Sequence, residues 1–432
     1  MEAVLRGAAV YDANGGRAVR RDLRISDGRL VSETDRKLPT LDLHGLTVFP
    51  GFTDVHVHFR EPGFSYKDTV AASSRAAARG GYTTVCPMPN LKPVPDSAAH
   101  LEAQLSIIRR DSVIRCVPYG AITKGEFGLE LSDMAAMAPF VAGFSDDGKG
   151  VQSREMMRAA MLEAKRLGRR IAAHCEDNAL LHGGYIHDGA YALSHGHRGI
   201  CSESEWGPIA RDLQLVRETG CAYHVCHIST KESVELIRSA KAEGLPVSCE
   251  TAPHYLLLDE TALREDGRFK MNPPLRSPED RAALLEGLRD GTVDLVATDH
   301  APHSAEEKSR GLEKSAMGVV GLEIAFPLLY THLVRPGHIS LARLLELLCG
   351  RARTLFGLGS PLEAGAPADF SVWDLEAEYD IDPAEFLSRG RATPFAGWHV
   401  SGRCRMTVCG GAVVWDDGSI VRDTTDTMEG VQ

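Results

Sequence analysis

Three regimes of hydrophobic patterning divide the chain of 432 residues. From 1 to about 49, apolar runs of strand length alternate with turn chemistry. Val4-Leu5-Arg6-Gly7, Ala8-Ala9-Val10-Tyr11-Asp12, Leu23-Arg24-Ile25 and Arg29-Leu30-Val31 are set off by Asp12-Ala13-Asn14-Gly15-Gly16 and Ser26-Asp27-Gly28. Glycine and short polar side chains tolerate turn angles, so this reads as a small β module. From about 50 to 356 the period switches back and forth. Apolar strands near 52–59, 82–88, 114–121, 139–145, 170–174, 221–228, 246–250 and 293–298 alternate with helically spaced segments at 67–79, 96–109, 153–167, 205–218, 231–243 and 278–289. A further helical stretch covers 341–356. From 357 to 432 short strands return, among them Phe370-Ser371-Val372-Trp373-Asp374, Met406-Thr407-Val408-Cys409 and Ala412-Val413-Val414-Trp415. Two β-rich ends predict one module, built from both termini, beside the central unit. The polar tail from about 423 is expected to fray.

Eight strands alternating with helices predict an α/β fold, a (β/α)8 barrel over 50–356. The alternative is an open, doubly wound sheet. No GxGxxG or P-loop motif follows a strand, which counts against a nucleotide-binding version of that alternative.

Composition narrows the function. Hydrophobic content of 43% and charged content of 25% are those of a soluble globular protein. A net charge of −11 argues against nucleic acid and anionic membrane as partners. Ten cysteines without a CxxC pair suggest neither a disulfide framework nor a zinc ribbon. The N-terminus lacks a signal peptide's apolar core and no run is long enough to span a membrane, so a cytoplasmic protein is expected.

The chemistry collects at predicted strand ends, where barrel active sites lie. The first strand leaves through Asp54-Val55-His56-Val57-His58-Phe59-Arg60-Glu61-Pro62-Gly63. Side chains alternate along a strand, so His56, His58 and Arg60 share a face. The fourth strand ends in Ser145-Asp146-Asp147-Gly148, the fifth in His174-Cys175-Glu176-Asp177, the sixth in His224-Val225-Cys226-His227 and the eighth in Asp299-His300-Ala301-Pro302-His303. Each has a plain reading: a hydrogen-bonded histidine, an Asp-Asp-Gly turn, or a salt bridge from Arg60 to Glu61 or Asp54. Together, four histidines and two aspartates on one rim point to metal. Mixed nitrogen and oxygen ligands suit zinc, with manganese or cobalt as substitutes, and six can hold two ions if one carboxylate bridges.

These motifs, with Pro87-Met88-Pro89-Asn90 and Met271-Asn272-Pro273-Pro274-Leu275-Arg276, resemble in content and order the class I dihydroorotases of the amidohydrolase superfamily. The resemblance runs from about 2 to 420. It implies a metal-dependent (β/α)8 barrel flanked by a β-sandwich. It implies that His56 and His58 bind the more buried of one or two zinc ions and that His174 and His227 bind the second. Asp147 matches the bridging position, with its neighbour Asp146 as the alternative. Asp299 matches a metal ligand that is also the proton shuttle. Arg60, Asn90, Asn272 and His303 match substrate-binding positions. Relatives that use a carboxylated lysine as the bridge would need one here; the nearest is Lys149, past a glycine. Leu91 stands where relatives often carry threonine.

The implied activity is zinc-dependent, reversible cyclisation of N-carbamoyl-L-aspartate to L-dihydroorotate in pyrimidine synthesis, by activated hydroxide with Asp299 shuttling the proton. The resemblance also implies a homodimer and an association with aspartate transcarbamoylase. The alternatives are another cyclic amidase, such as a hydantoinase or allantoinase, and a non-catalytic partner of aspartate transcarbamoylase. Residues 304–317 are polar and follow the catalytic strand, so they read as a loop that orders over substrate.

Overall fold

Thr47–Pro50 leads through Gly51 directly into the first barrel strand, β1 (Phe52–Val57), whose six residues are all buried. A Cβ at Gly51 would sit 2.1 Å from the Thr83 hydroxyl, so the crossing requires glycine. The computed structural model describes residues 1–11, 18–34 and 36–423. The turn at Asp12-Ala13-Asn14-Gly15-Gly16 and the tail beyond 423 lie outside the described residues.

Around β1 run β2 (Tyr82–Pro87), β3, β4 (Phe144–Ser145), β5 (Ile171–Ala173), β6 (Tyr223–Val225), β7 (Val247–Thr251) and β8 (Leu295–Val296). The strand β3 is in two pieces, Arg115–Cys116 and Gly120–Ala121. Pro118 lies between them and has no N–H for the ladder. Every pairing is parallel, from Phe52 opposite Tyr82 round to Glu250 opposite Leu295. Val57 then pairs in parallel with His300, and the His58 amide donates to the His300 carbonyl at 2.9 Å. That contact closes the ring. The chain forms the (β/α)8 barrel, and the open-sheet alternative is excluded.

The helices follow the predicted spacing: α1 (Val70–Arg79), α2 (Ala98–Asp111), α3 (Arg154–Arg166), α4 (Glu203–Thr219), α5 (Lys231–Ala242) and α6 (Pro278–Asp290). Thr69, Ser97, Ser153, Thr230 and Ser277 cap five of them, each accepting from a backbone N–H of the first turn. Such a cap contributes about 1 kcal/mol.

The two chain ends share both sheets of the flanking β-sandwich. Thr47–Pro50 pairs antiparallel with Phe370–Asp380, which in turn pairs with His399–Cys409. In the other sheet Arg422–Asp423 joins Thr40–Asp42. Leu5, Ile25, Val48, Phe370, Val372 and Val408 fill the space between. At the junction with the barrel, Trp373 lies 4.3 Å from Phe326 and 5.7 Å from Phe52 between ring centroids. Aromatic pairs of this kind add about 0.5–1.5 kcal/mol beyond their buried area. They anchor the base of β1, four residues before His56.

The strands β6 and β8 are among those that end sooner than the apolar pattern predicts. Beyond β6 and β8 the backbone leaves the ladder at His227 (φ 34°) and Asp299 (φ 47°). Left-handed angles at non-glycine residues cost on the order of 1–3 kcal/mol and gather at functional sites. Here they swing two candidate ligands over the barrel mouth. Among the described residues no helix is long and apolar enough to cross a membrane.

Candidate metal centre and active site

The alternation along β1 sends His56 and His58 to one side, and both rings are held by their far nitrogens. His56 Nδ1 lies 2.6 Å from Glu250 Oε1, and His58 Nδ1 lies 3.0 Å from Asn90 Oδ1. Carboxylate and amide oxygens only accept, so each Nδ1 donates and each Nε2 is left to a cation, a metal ion or a proton. Both Nε2 atoms face the centre. His56 Nε2 is 3.3 Å from Asp147 Oδ1, and His58 Nε2 is 3.0 Å from Asp299 Oδ1. His174 Nδ1 and His227 Nε2 each approach Asp147 Oδ1 to 3.7 Å and lie 2.9 Å from one another. All six predicted metal positions therefore converge, and Asp147 stands at the middle.

Asp146 does not. Its Oδ1 accepts from the amides of Ile122 and Thr123 at 2.8 and 3.0 Å, and its Oδ2 takes the Thr123 hydroxyl. Adjacent strand-end residues point opposite ways, and only Asp147 faces inward. Lys149 also turns away, donating to the Gly125 carbonyl at 3.1 Å.

The donor set fits a cation. His56 Nε2 and Asp147 Oδ1 are buried and neither has a hydrogen-bond partner. Ligand atoms of His56, His58 and Asp299, and of His56, Asp147 and His227, lie within 4.8 Å of one another. The electrostatics agree. Burial favours a neutral His56, yet the carboxylates of Asp147 and Glu250 hold it well above an ordinary histidine. Burial raises Asp147 and Asp299, yet the surrounding rings hold both well below the usual carboxylate range. The centre is built for positive charge.

A cavity of about 260 Å³ opens above it, lined by Arg60, Asn90, Asn272, Asp299, His303 and Gly318 among others. Arg60 is 7% exposed. Its Nε donates to the Pro302 carbonyl at 3.0 Å and its Nη2 faces His303 Nε2 at 3.4 Å. The salt bridges to Glu61 or Asp54 do not form: Glu61 accepts from the Val70 amide, and Asp54 accepts from Thr298 and the His56 amide. Burial pulls the guanidinium down to about 10, so it stays charged at neutral pH. His303 Nε2 donates to the Met317 carbonyl at 2.8 Å, which leaves Nδ1 to accept from Lys67 Nζ at 3.2 Å. Asn272 donates to Glu176 Oε1 at 3.0 Å. Asn90 is tied into the centre itself, donating to Asp147 Oδ2 at 3.2 Å.

The strand-end survey missed Glu250. It is the last residue but one of β7, is fully buried, and also lies 3.1 Å from His224 Nε2. Despite burial, the two rings lower it to about 2. A charged residue inside an otherwise uncharged strand, Val247-Ser248-Cys249-Glu250-Thr251, was the available signal. Glu176, Lys67 and the wall at Met317 and Gly318 had no signal of their own.

A family model described as Dihydro-orotase-like matches residues 45–233. A protein named Dihydroorotase from Shouchella clausii is 48% identical over 422 residues, covering 96% of this chain and 99% of that one. One of the same name from Fusobacterium nucleatum is 50% identical over 404 residues, covering 92% and 95%. Among solved structures, an L-hydantoinase (dihydropyrimidinase) from Arthrobacter aurescens superposes with a TM-score of 0.86 at 26% identity, covering 97% of each chain.

Proposed function

This chain belongs to the dihydroorotases, and on that premise we propose that it interconverts N-carbamoyl-L-aspartate and L-dihydroorotate in pyrimidine synthesis. Zinc is the proposed metal, with His56, His58, Asp147, His174, His227 and Asp299 to hold one or two ions. The observation that carries the substrate is Arg60. Among the described residues this buried guanidinium has no carboxylate in an ion pair, and it opens on the cavity beside the candidate metal centre. Both substrates bring a carboxylate. Arg60 can grip it with two parallel charge-assisted hydrogen bonds.

At such a donor set, bound zinc supplies Lewis-acid polarisation of the reacting carbonyl and lowers the pKa of water from about 15.7 toward 7. The protein does the rest. Asp299, held ionised, accepts the proton of the attacking water and returns it to the leaving ring nitrogen. Glu250 and Asn90 keep the His56 and His58 lone pairs aimed inward. Arg60 fixes the substrate's carboxylate end, with Asn272 and His303 on the flanking walls. A hydantoin or allantoin substrate carries no carboxylate, and Arg60 would then face nothing. The homodimer, aspartate transcarbamoylase as partner, and a cytoplasmic location are proposed from the family resemblance.

The test is turnover of L-dihydroorotate by zinc-loaded protein, followed as loss of ultraviolet absorbance, beside hydantoin and allantoin. Turnover of dihydroorotate alone is expected. Hydrolysis of another cyclic amide without it would reassign Arg60 and Asn272. No turnover of any of the three would favour the non-catalytic reading.

A further inference from the structure

The segment after the shuttle aspartate supplies one wall of the cavity through His303, Met317 and Gly318. It contains two helices of four residues, Ala305–Lys308 and Gly311–Lys314. Helices that short do not hold themselves. Lys308 is one of the groups that hold this segment, beside the buried Leu312 and the Lys67–Glu307 ion pair. Its side chain leaves a polar run and turns inward, so that the residue is 7% exposed. Its Nζ donates to the carbonyls of Lys270 at 3.0 Å, Ala316 at 2.8 Å and Gly318 at 2.7 Å. Three acceptors surround an ammonium with three protons; a neutral amine would turn its lone pair against a carbonyl. Among the described residues Lys308 has no ion pair; burial pulls its ammonium down to about 7, against the pull of Asp266 and Glu307, and the three carbonyls are its hydrogen-bond partners.

The three carbonyls come from two neighbouring segments of the chain. Ala316 and Gly318 belong to the His303 side. Lys270 lies two residues before Asn272, which also lines the cavity. The Lys270 carbonyl also accepts from the Gly318 amide at 3.0 Å, and Lys270 Nζ donates back to the Glu313 carbonyl at 2.7 Å. The packing is tight: a Cβ at Gly267 would lie 2.4 Å from the Lys308 carbonyl oxygen, and one at Gly318 (φ 136°) would lie 2.8 Å from Ala301 Cβ.

We propose that Lys308 is a positioning residue for substrate: its ammonium ties the Gly318 wall to the adjoining segment that leads to Asn272 and so fixes the shape of the wall that the substrate ring meets. The proposal rests on the dihydroorotase reading above. Lys308 reaches neither the metal ligands nor the reacting atoms. Its loss is therefore expected in binding and in local order, with chemistry preserved.

The test is Lys308→Met in the zinc-loaded full chain, with steady-state kinetics on L-dihydroorotate and hydrogen exchange of the 315–318 amides without substrate. The expected result is a KM raised about tenfold or more, kcat within about threefold, and unchanged metal content, the pattern of lost substrate placement. Exchange at Ala316 and Gly318 is expected to quicken. Should Lys308→Met not yield folded protein, Lys308→Gln, which keeps two donors on a shorter stem, is read the same way. Unchanged KM and exchange would overturn the proposal, as would a loss of metal with kcat falling while KM stays constant. Wild-type protein that ignores L-dihydroorotate would overturn the substrate reading and this role with it. Normal wild-type turnover with an unaltered KM in the variant would overturn this role alone.

Discussion

Asp147 Oδ1 and His56 Nε2 lie 3.3 Å apart in a region closed to solvent, and neither makes a hydrogen bond. Buried polar atoms left without partners cost about 1–3 kcal/mol each. Two facing one another, with His174 and His227 at 3.7 Å from the same oxygen, are explained by a cation between them.

Removing metal is therefore expected to lower thermal stability markedly. At a free metal concentration a thousand times the Kd, binding adds about 4 kcal/mol to the native state. Calorimetry of chelated and zinc-loaded protein reads this directly, and coincident melting curves would contradict a metal at Asp147.

Asp299→Asn keeps an oxygen ligand but cannot take up a proton. Turnover is expected to fall by about 10² or more, the scale of a general acid–base contribution, with most of the metal retained. Kinetics paired with elemental analysis separate the two roles. Near-normal activity would remove the shuttle assignment.

Arg60→Lys preserves charge and loses the planar fork. KM for N-carbamoyl-L-aspartate is expected to rise about tenfold or more, the cost of exchanging a bidentate for a point contact. Metal content should not change. An unaltered KM would place the substrate carboxylate elsewhere.

Glu250→Leu removes the acceptor that orients His56. Metal affinity is expected to drop by about 10–100-fold, as for other groups that orient a ligand histidine from behind. Glu250→Gln, whose amide oxygen can still accept from His56 Nδ1, is expected to lose less. Competition with a chromogenic chelator measures both, and wild-type affinity in the Leu variant would make the contact incidental.

The barrel was legible in the sequence because apolar strands and amphipathic helices differ in period. The HxH pair was legible because strand alternation puts two rings on one face. What stayed hidden depends on direction in space. Asp146 and Asp147 look alike on paper, and only the hydrogen bonds from Ile122 and Thr123 show which one turns away. Lys308 reads as a solvated charge in a polar run, yet it is 7% exposed. Asn90 lines the cavity as a substrate contact would, and its further engagement with His58 and Asp147 had no local signal. Partners drawn from distant segments leave no local pattern.

The short path from Thr47–Pro50 through Gly51 to His56 has a consequence for biosynthesis. The strand that clasps its base, Phe370–Asp380, leaves the ribosome more than 300 residues later. Pairing at so large a separation is slow to form. A nascent chain carrying every metal ligand would still lack the clasp beneath the first two. Tight metal capture is thus expected of the finished polypeptide, and a chain interrupted before the last strands is expected to be marked by a loosely held, scavengeable ion.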